Sequence, residues 1–332
     1  MNIRERNISI DILKCLAAFL ITNSHMSLLY GKYSFLATGG CIGDVLFFFC
    51  SGFTLFLKPL NGIAYFPNWY KRRIRRIYPS VFAAAILGCL FFYDYRNIVD
   101  IIISSKYWFI PCIMIYYVAI FFIGIYAKNR IKLILFLVIL ISGAWFYFMC
   151  SEPQFTLYAN KYGNGTNYVR WLLFFVFMLM GAKMGMQDKK NMVCSPLMDF
   201  IMLLISLVAF YAIFILTMKM KSLVVFQFFS VFPLISAIYF FYKLGLSCWA
   251  EKLYNTKIGY FIIRFVGGLC LEIYMIQYYL FTDKMNSLFP LNIFIMFTVI
   301  IIAAYFTRCL ARIIAQTFTE NGYEWKQITN IY

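Results

Sequence analysis

Apolar stretches of about 20 residues recur along almost the whole chain, and each is long enough to cross a bilayer as a helix. Of the 332 residues, 63% are hydrophobic and only 13% are charged. An ordinary soluble domain has roughly 25% charged residues, so this chain lacks the polar surface to cover a water-facing globule. The sequence therefore predicts a polytopic integral membrane protein. It excludes soluble enzymes, nucleic-acid binders and secreted domains held by disulfides.

Hydropathy, with Pro, Gly and charge as boundaries, predicts an all-α bundle in a single membrane-embedded domain over residues 1–332, without a soluble appendage. Ten transmembrane helices are expected, spanning approximately 8–30, 41–58, 77–93, 107–126, 131–149, 169–187, 198–217, 222–242, 259–282 and 289–316. The net charge is +17, and Lys and Arg are concentrated in segments that share a side with the N-terminus. The positive-inside rule and the even helix number predict that both termini are cytoplasmic.

The cysteines and the histidine give no metal-site pattern. The ten cysteines form no Cys-x-x-Cys pair, and most of them lie inside apolar stretches. Because the chain has one histidine, a zinc site built from His and Cys is not expected. We interpret the cysteines as small core residues and predict no metal site.

The first predicted helix carries four polar residues on one face: Asp11, Lys14, Thr22 and His25. They fall within an arc of about 80° and extend for roughly 20 Å along the helix axis. Ionisable groups in hydrocarbon are costly and usually face the bundle interior or a water-filled cavity. One interpretation is a structural Asp11–Lys14 pair with a hydrogen-bonded histidine. The other is a polar cavity through the bundle, in which His25 is the natural general acid or base.

A dense basic cluster precedes the predicted third helix, with five cations among the six residues from Lys71 to Arg76. One interpretation is an anchor that contacts anionic lipid headgroups. The other is a polyphosphate site, because guanidinium groups bind phosphate oxygens through paired hydrogen bonds. Arg72 with Arg75 or Arg76 would lie on one helical face. The second interpretation implies a phosphorylated ligand from the cytosol.

These features together resemble the acyltransferase 3 family, which comprises ten-helix membrane acyltransferases that modify bacterial cell-surface glycans. Asp11, Lys14 and His25 resemble the family's acidic, basic and histidine positions, with Lys where Arg is more usual. The segment from Gly43 to Phe53 resembles its Phe-rich helix, which ends in Ser-Gly-Phe.

Three later segments continue the resemblance. The arginines from Arg72 to Arg76, followed by Ile-Tyr-Pro, resemble the family's Arg-x-x-Arg segment. Trp108 opens a Trp-aromatic-aliphatic motif at the fourth helix. The segment from Leu271 to Gln277 resembles a Leu-x-Ile-Tyr-Leu-x-His pattern, but Gln277 stands where His is common. Any proton transfer is therefore expected to depend on His25 alone.

The resemblance implies a membrane O-acetyltransferase of the bacterial inner membrane. It would move an acetyl group from cytosolic acetyl-CoA to a hydroxyl of a surface polysaccharide or a lipid-linked glycan precursor. Acetyl-CoA would be a donor substrate, and no permanently bound cofactor is expected. The expected partners are acetyl-CoA, the glycan acceptor and the lipid bilayer, with no nucleic acid. His25 would act as the general base or carry the acyl group itself.

The candidate site residues form four groups. The catalytic candidates are His25 and Glu272. The candidates for binding the CoA donor are Lys14, Arg72, Arg73, Arg75, Arg76, Ser51 and Trp108. The candidates for binding the acceptor are Asp44 and Gln277, and Asp11 is a candidate structural partner.

Four of these candidates also have a purely structural interpretation. Glu272 would form an ion pair with Lys14 or with another helix. The Ser51-Gly52 pair would permit tight helix packing, which is the default for this pair. Trp108 would be an interfacial anchor, and Asp44 would cap the second helix.

The polar face of the first predicted helix matches the CoA donor in length. The eleven residues from Lys14 to His25 cover roughly 16 Å, comparable with an extended pantetheine arm.

The alternative function is a transporter or flippase for a lipid-linked glycan or an organic anion, which would use the same polar cavity without chemistry. A transporter should tolerate His25→Ala with partial function, whereas an acyltransferase should lose transfer entirely.

Overall fold

A computed structural model describes residues 7–56, 60, 62–104, 106–152, 155–159, 161–162, 165–187, 194–317 and 322–330. The helices in these ranges are α1 Ile8–His25, α2 Ser27–Tyr30, α3 Gly40–Leu55, α4 Phe66–Phe92, α5 Ile98–Ile103, α6 Phe109–Tyr126, α7 Ile131–Met149, α8 Tyr168–Met186, α9 Pro196–Lys219, α10 Val231–Gly245, α11 Cys248–Tyr254, α12 Lys257–Leu280, α13 Leu291–Thr317 and α14 Trp325–Ile328. Two strands of two residues each, β1 Lys161–Tyr162 and β2 Gly165–Thr166, pair antiparallel.

The predicted helical membrane fold is confirmed. Within the described residues, nine helices are long and apolar enough to span a bilayer. A tenth span is formed if Ser27–Leu36 and Gly40–Leu55, which meet at an angle of 100°, count as one broken helix pair. The ten predicted spans therefore correspond to nine continuous helices and one bent pair.

Two predicted helix boundaries are wrong near the candidate residues. Helix α1 ends at His25, and the chain continues through the separate short helix α2 instead of running helically to residue 30. Helix α4 begins at Phe66 instead of residue 77, so the arginine cluster lies inside the helix, with Pro79 in its interior. Hydropathy missed this part because cations lower it, although Lys and Arg are good helix formers and Pro67 suits the first turn.

The chain divides into two compact units. The first, called here the His25 unit, comprises Lys14–Asp44, Gly62–Val118 and Ile258–Tyr332. The second unit comprises Met1–Leu13, Val45–Asn61 and Ala119–Lys257. Most of the candidate site residues belong to the His25 unit.

Side-chain contacts relate helix α12 to α4 and α1 within the His25 unit. Ser80 and Gly88 of α4 contact Glu272 and Tyr279 of α12, respectively, so the two helices run parallel. Helix α1 is also parallel to α12, because Cys15 contacts the Ile262 carbonyl and His25 contacts residues at the far end of α12. Helix α13 packs along α4.

In the second unit, α3 and α8 approach each other through glycines. A Cβ on Gly52 would collide with the Met178 carbonyl, and one on Gly181 would collide with the Phe49 carbonyl. The tight packing expected at Ser51-Gly52 is therefore present, because only a residue without a side chain allows this backbone contact. In the same unit, Lys243 Nζ lies 2.6 Å from Oδ1 of the buried Asp199.

Candidate active site

The imidazole of His25 is held between two consecutive residues of α12. Gln277 Nε2 lies 3.3 Å from His25 Nδ1, and Tyr278 Oη lies 2.7 Å from His25 Nε2. The His25 and Tyr278 ring centroids are 4.7 Å apart, with the planes tilted by 59°. Both ring nitrogens therefore have polar partners. The hydrogen bond to one ring nitrogen determines which tautomer the other presents.

The two residues that hold the imidazole differ in exposure. Consecutive side chains on a helix point about 100° apart, so Gln277 and Tyr278 approach the ring from different directions. Gln277 is fully buried, and its Oε1 has no hydrogen-bond partner in the described part of the chain. Tyr278 is 38% exposed. The histidine is half-buried, so this site has a buried side at Gln277 and an open side at Tyr278.

Glu272 interacts with residues other than His25. Its Oε1 accepts a hydrogen bond of 2.7 Å from Ser80 Oγ, and its Oε2 lies 3.7 Å from Arg308 Nη2. Arg308 also donates to the Gly268 carbonyl. Glu272 precedes Gln277 by five residues, about 7.5 Å along α12. Glu272 therefore has the geometry of an ion pair with another helix, and the α12 residues that contact the imidazole are Gln277 and Tyr278.

The arginines of α4 divide between an aromatic side and an exposed side. The Arg73 guanidinium lies 4.8 Å from the Trp69 ring centroid and 5.8 Å from that of Tyr117. Arg72, Arg75 and Arg76 are exposed. Within the described ranges, none of the four arginines forms an ion pair with a carboxylate.

Arg72 also contacts an aromatic residue. Its Nη2 donates to Tyr65 Oη at 2.5 Å, and its guanidinium lies 4.8 Å from the Tyr65 ring centroid. The cluster thus presents positive charge that no described acidic residue neutralises.

The arginines and His25 lie at different levels of the His25 unit. The contacts Ser80–Glu272 and Gly88–Tyr279 place the level of Gln277 near residue 85 of α4. At 1.5 Å per residue, that level is about 13 Å from Arg76 and about 20 Å from Arg72 along the helix. Lys14 precedes His25 by eleven residues on α1, which runs parallel to α12, so it lies on the arginine side of His25.

A second polar network lies beside Tyr278, at its neighbour Tyr279. Asp94 Oδ2 accepts hydrogen bonds of 2.5 Å from Tyr279 Oη and 2.8 Å from Lys106 Nζ, and it lies 3.3 Å from Arg96 Nε. Burial alone would raise the pKa of Asp94, but the hydrogen bonds from Lys106 and Tyr279 and the charges of Lys106 and Arg96 outweigh it, so this pKa is below its ordinary value. The network fixes the segment between α4 and α6 to the His25 end of α12.

Trp108 lies near the His25 end of α12. The adjacent Tyr107 is fully buried and donates a hydrogen bond of 2.9 Å to the Met275 carbonyl, two residues before Gln277. Trp108 itself is half-buried, and its ring meets the Phe109 ring edge-on with centroids 6.0 Å apart. Its role in donor binding stays a prediction.

The three remaining candidate residues are Asp44, Asp11 and Ser51. Asp44 is the fifth residue of α3, which begins at Gly40, so the prediction that it caps this helix is wrong. It is only 7% exposed. Asp11 and Ser51 belong to the second unit, where Asp11 is buried and Ser51 is half-buried. Their assignments stay predictions.

Three residues of this region were not predicted from the sequence: Ser80, Tyr278 and Arg308. Tyr278 directly follows the motif residue Gln277, and that adjacency was the available signal. Arg308 lies inside an apolar predicted span, where a charge usually has a partner in the bundle. Ser80 gave no signal, because a serine within a helix is unremarkable until its neighbour on another helix is known.

The comparison with known families decides the class of this protein. A family model described as an acyltransferase domain, that of the acyltransferase 3 family, matches residues 7–309. The chain belongs to this family. The match covers nearly the whole chain and includes both His25 and the α4 arginines, so the predicted family is confirmed and the protein is a membrane acyltransferase. No curated protein and no solved structure matches the chain.

Proposed function

We propose that this acyltransferase moves an acetyl group from cytosolic acetyl-CoA to a hydroxyl of a surface polysaccharide or its lipid-linked precursor. The family membership supports acyl transfer, and the multi-pass helical fold supports a reaction that joins the two sides of a membrane. The proposed location is the bacterial inner membrane, with both termini in the cytosol.

The single observation that carries this proposal is the separation of charge and imidazole within the His25 unit. Arginines without carboxylate partners among the described residues lie about 13 to 20 Å along α4 from the level of His25. A CoA molecule has phosphates at one end and a thioester at the end of a long pantetheine arm. If Arg72, Arg75 and Arg76 bind the phosphates, the arm has the length to bring the thioester to His25.

The reaction follows from the properties of a half-buried imidazole. His25 accepts the proton of the acceptor hydroxyl as its oxygen attacks the thioester carbonyl carbon. The carbon–sulfur bond then breaks, and the CoA thiolate takes the proton from the imidazolium. In the second form of the mechanism, an imidazole nitrogen bonds to the acetyl carbonyl carbon as the carbon–sulfur bond breaks and the CoA thiolate leaves. The acceptor oxygen then takes the acetyl group as the carbon–nitrogen bond breaks, and its proton goes to the thiolate. In both forms Gln277 and Tyr278 orient the ring.

The test is mass spectrometry of surface glycans from cells that carry the wild-type protein, His25→Ala, His25→Gln or no protein. The wild type should add acetyl groups to the glycan, and both variants should abolish them, because neither side chain is a base at neutral pH. His25→Gln keeps a polar group of similar size between Gln277 and Tyr278, so its folding serves as the control for His25→Ala.

Two outcomes would contradict the proposal. Acetylated glycan in the His25→Gln cells would remove His25 from the chemistry. In the other outcome, cells without the protein lack the whole glycan at their surface and still contain acetylated glycan inside. That outcome would indicate a transporter.

A further inference from the structure

The hydroxyl of Thr22 differs from those of the other helical threonines in the described residues. Thr22 lies on α1, three residues before His25, and is fully buried. Its Oγ1 has no hydrogen-bond partner in the described part of the chain. A buried hydroxyl without a partner costs free energy, so such a group requires an explanation.

Other helical threonines of the described ranges satisfy their hydroxyls within their own helix. A threonine in a helix ordinarily donates to a carbonyl three or four residues earlier. That bond, at 2.8 to 2.9 Å, is present in α3, α9 and α13, at Thr54, Thr217, Thr298, Thr307 and Thr317. The Thr22 hydroxyl does not make it, although its backbone is helical.

Thr22 and His25 belong to the same local environment. A separation of three residues places them within about 60° of each other around α1 and about 4.5 Å apart along its axis. Gln277, which contacts the imidazole, also has a buried polar atom without a partner, Oε1. Thr22, about one helical turn from His25, and Gln277, in contact with it, thus each have a buried polar atom without a partner among the described residues. This pairing indicates a ligand that supplies the missing partners.

We infer that Thr22 is a further catalytic residue, whose hydroxyl donates a hydrogen bond to the carbonyl oxygen of the acyl thioester. This inference rests on the proposed acyl transfer. When the acceptor oxygen bonds to the carbonyl carbon, the C=O electron pair moves to the oxygen and makes it an anion. The Thr22 O–H stabilises that anion, and His25 takes the acceptor's proton. The pair then re-forms C=O as the carbon–sulfur bond breaks.

Thr22 is better placed than His25 to donate a hydrogen bond to the thioester carbonyl oxygen. Thr22 lies between Lys14 and His25 along α1, on the arginine side of the imidazole. An acyl group that arrives from the arginines reaches Thr22 before it reaches His25. The acceptor hydroxyl must in turn reach the imidazole of His25 itself. The carbonyl oxygen and the reacting hydroxyl are thus assigned to two different residues one turn apart.

The test replaces Thr22 with Val, which has nearly the same shape and no hydroxyl. Inverted membrane vesicles receive isotope-labelled acetyl-CoA, and the initial rate of label transfer to the glycan is measured at saturating donor. We expect Thr22→Val to lower this rate by about a hundredfold, the lower end of the effect of losing an oxyanion donor. Thr22→Ser keeps the hydroxyl and should retain most of the rate.

Stability separates this role from a structural one. Because the Thr22 hydroxyl has no partner in the ligand-free protein, Thr22→Val should not lower the melting temperature. The matched control is Thr307→Val in the same unit, where the residue is equally buried but its hydroxyl bonds the Ala303 carbonyl. That control should lose some stability and keep its transfer rate.

Each remaining outcome has a defined meaning. A full rate in Thr22→Val, together with loss of transfer in His25→Gln, overturns the role of Thr22 and leaves the proposed function intact. A melting temperature that falls along with the rate, or a Thr22→Ser variant as slow as Thr22→Val, also overturns it. Transfer that survives in His25→Gln overturns the proposed function itself.

Discussion

The residue that orients the histidine is an amide where the family commonly has a second histidine. Gln277 is fully buried and contacts His25 Nδ1, while Glu272, the carboxylate expected to assist His25, pairs with Ser80 and Arg308. An amide does not titrate, so Gln277 orients the ring without exchanging protons with it. In the proposed reaction, the acid–base chemistry of this pair therefore belongs to His25.

Gln277→Leu should lower kcat and leave the KM for acetyl-CoA unchanged. The variant removes the polar partner of Nδ1, so the ring loses its fixed orientation, whereas the proposed phosphate contacts on α4 are untouched. We expect a fall in kcat of about tenfold to a hundredfold, part of what a general base contributes. Initial rates over a range of donor concentrations check this.

A matched variant controls for the loss of a buried amide. Gln227→Leu removes an equally buried glutamine of the second unit, whose Oε1 accepts from the Leu157 amide. It should reduce stability while kcat stays constant. A Gln277→Leu enzyme with raised KM and normal kcat would show that Gln277 binds the donor instead.

At the scale of the element, α4 joins two environments in one helix. Its first turns carry exposed arginines, and its later turns carry small buried residues, Ala83, Ala84 and Ala85. Small side chains let other helices approach closely, and the exposed cations remain free to bind anions. Because the helix is continuous from Phe66 to Phe92, the arginines are held at a fixed distance from the level of His25.

Replacing Arg72, Arg75 and Arg76 together with Gln should weaken acetyl-CoA binding. Hydrogen bonds to charged groups each contribute about 1.5–3 kcal/mol, so the loss of several should raise the Kd by at least about a hundredfold. Arg73 is kept, since it packs on Trp69 and Tyr117. Calorimetric titration of the purified protein with acetyl-CoA measures the change.

Three other exposed cations provide the control for net charge. Lys128 and Arg130 lie just before α7 and Lys132 lies in its first turn, and replacement of all three with Gln removes the same charge. Acetyl-CoA affinity should be unchanged in this control. Equal loss in both triple variants would mean that the α4 arginines act only through general surface charge, and no loss in either would favour the lipid-anchor interpretation.

At the scale of the whole molecule, the helix count determines the proposed orientation. Counted as one span, the bent pair brings the nine continuous spans of the described residues to ten crossings, and an even number returns the chain to the side where it began. Cys248, the first residue of α11, is exposed in the segment between α10 and α12. With a cytosolic N-terminus, this segment lies in the cytosol.

A membrane-impermeant thiol reagent should therefore label Cys248 in inverted vesicles and not in right-side-out vesicles. The experiment uses a variant in which Cys248 is the single remaining cysteine. A second variant has its single cysteine at the exposed Lys32, in the segment between α2 and α3, and should show the opposite pattern. If Cys248 reacts only from the outer face, the orientation is reversed, and the α4 arginines cannot bind a cytosolic donor.

Most of the architecture was predictable from the sequence, because membrane insertion depends on local composition. Ten apolar stretches indicated ten crossings, and motifs in five helices indicated the family that the family model confirms. The errors occurred where a local pattern was ambiguous. Cations and Pro79 suggested that α4 begins late, although the helix continues through both, and Asp44 suggested a cap, although α3 begins four residues earlier.

By itself, the sequence determined the membrane-embedded helical fold and the family, and it singled out His25 as the proposed reacting base, since each of these inferences depends on residue type and spacing along the chain. Only the tertiary structure decided that Gln277 and Tyr278, and not Glu272, hold the imidazole, and that the Thr22 hydroxyl has no partner. The Gln277–His25 contact joins residues 252 positions apart. Such a contact depends on how α1 packs against α12, and hydropathy and helical periodicity do not specify that packing.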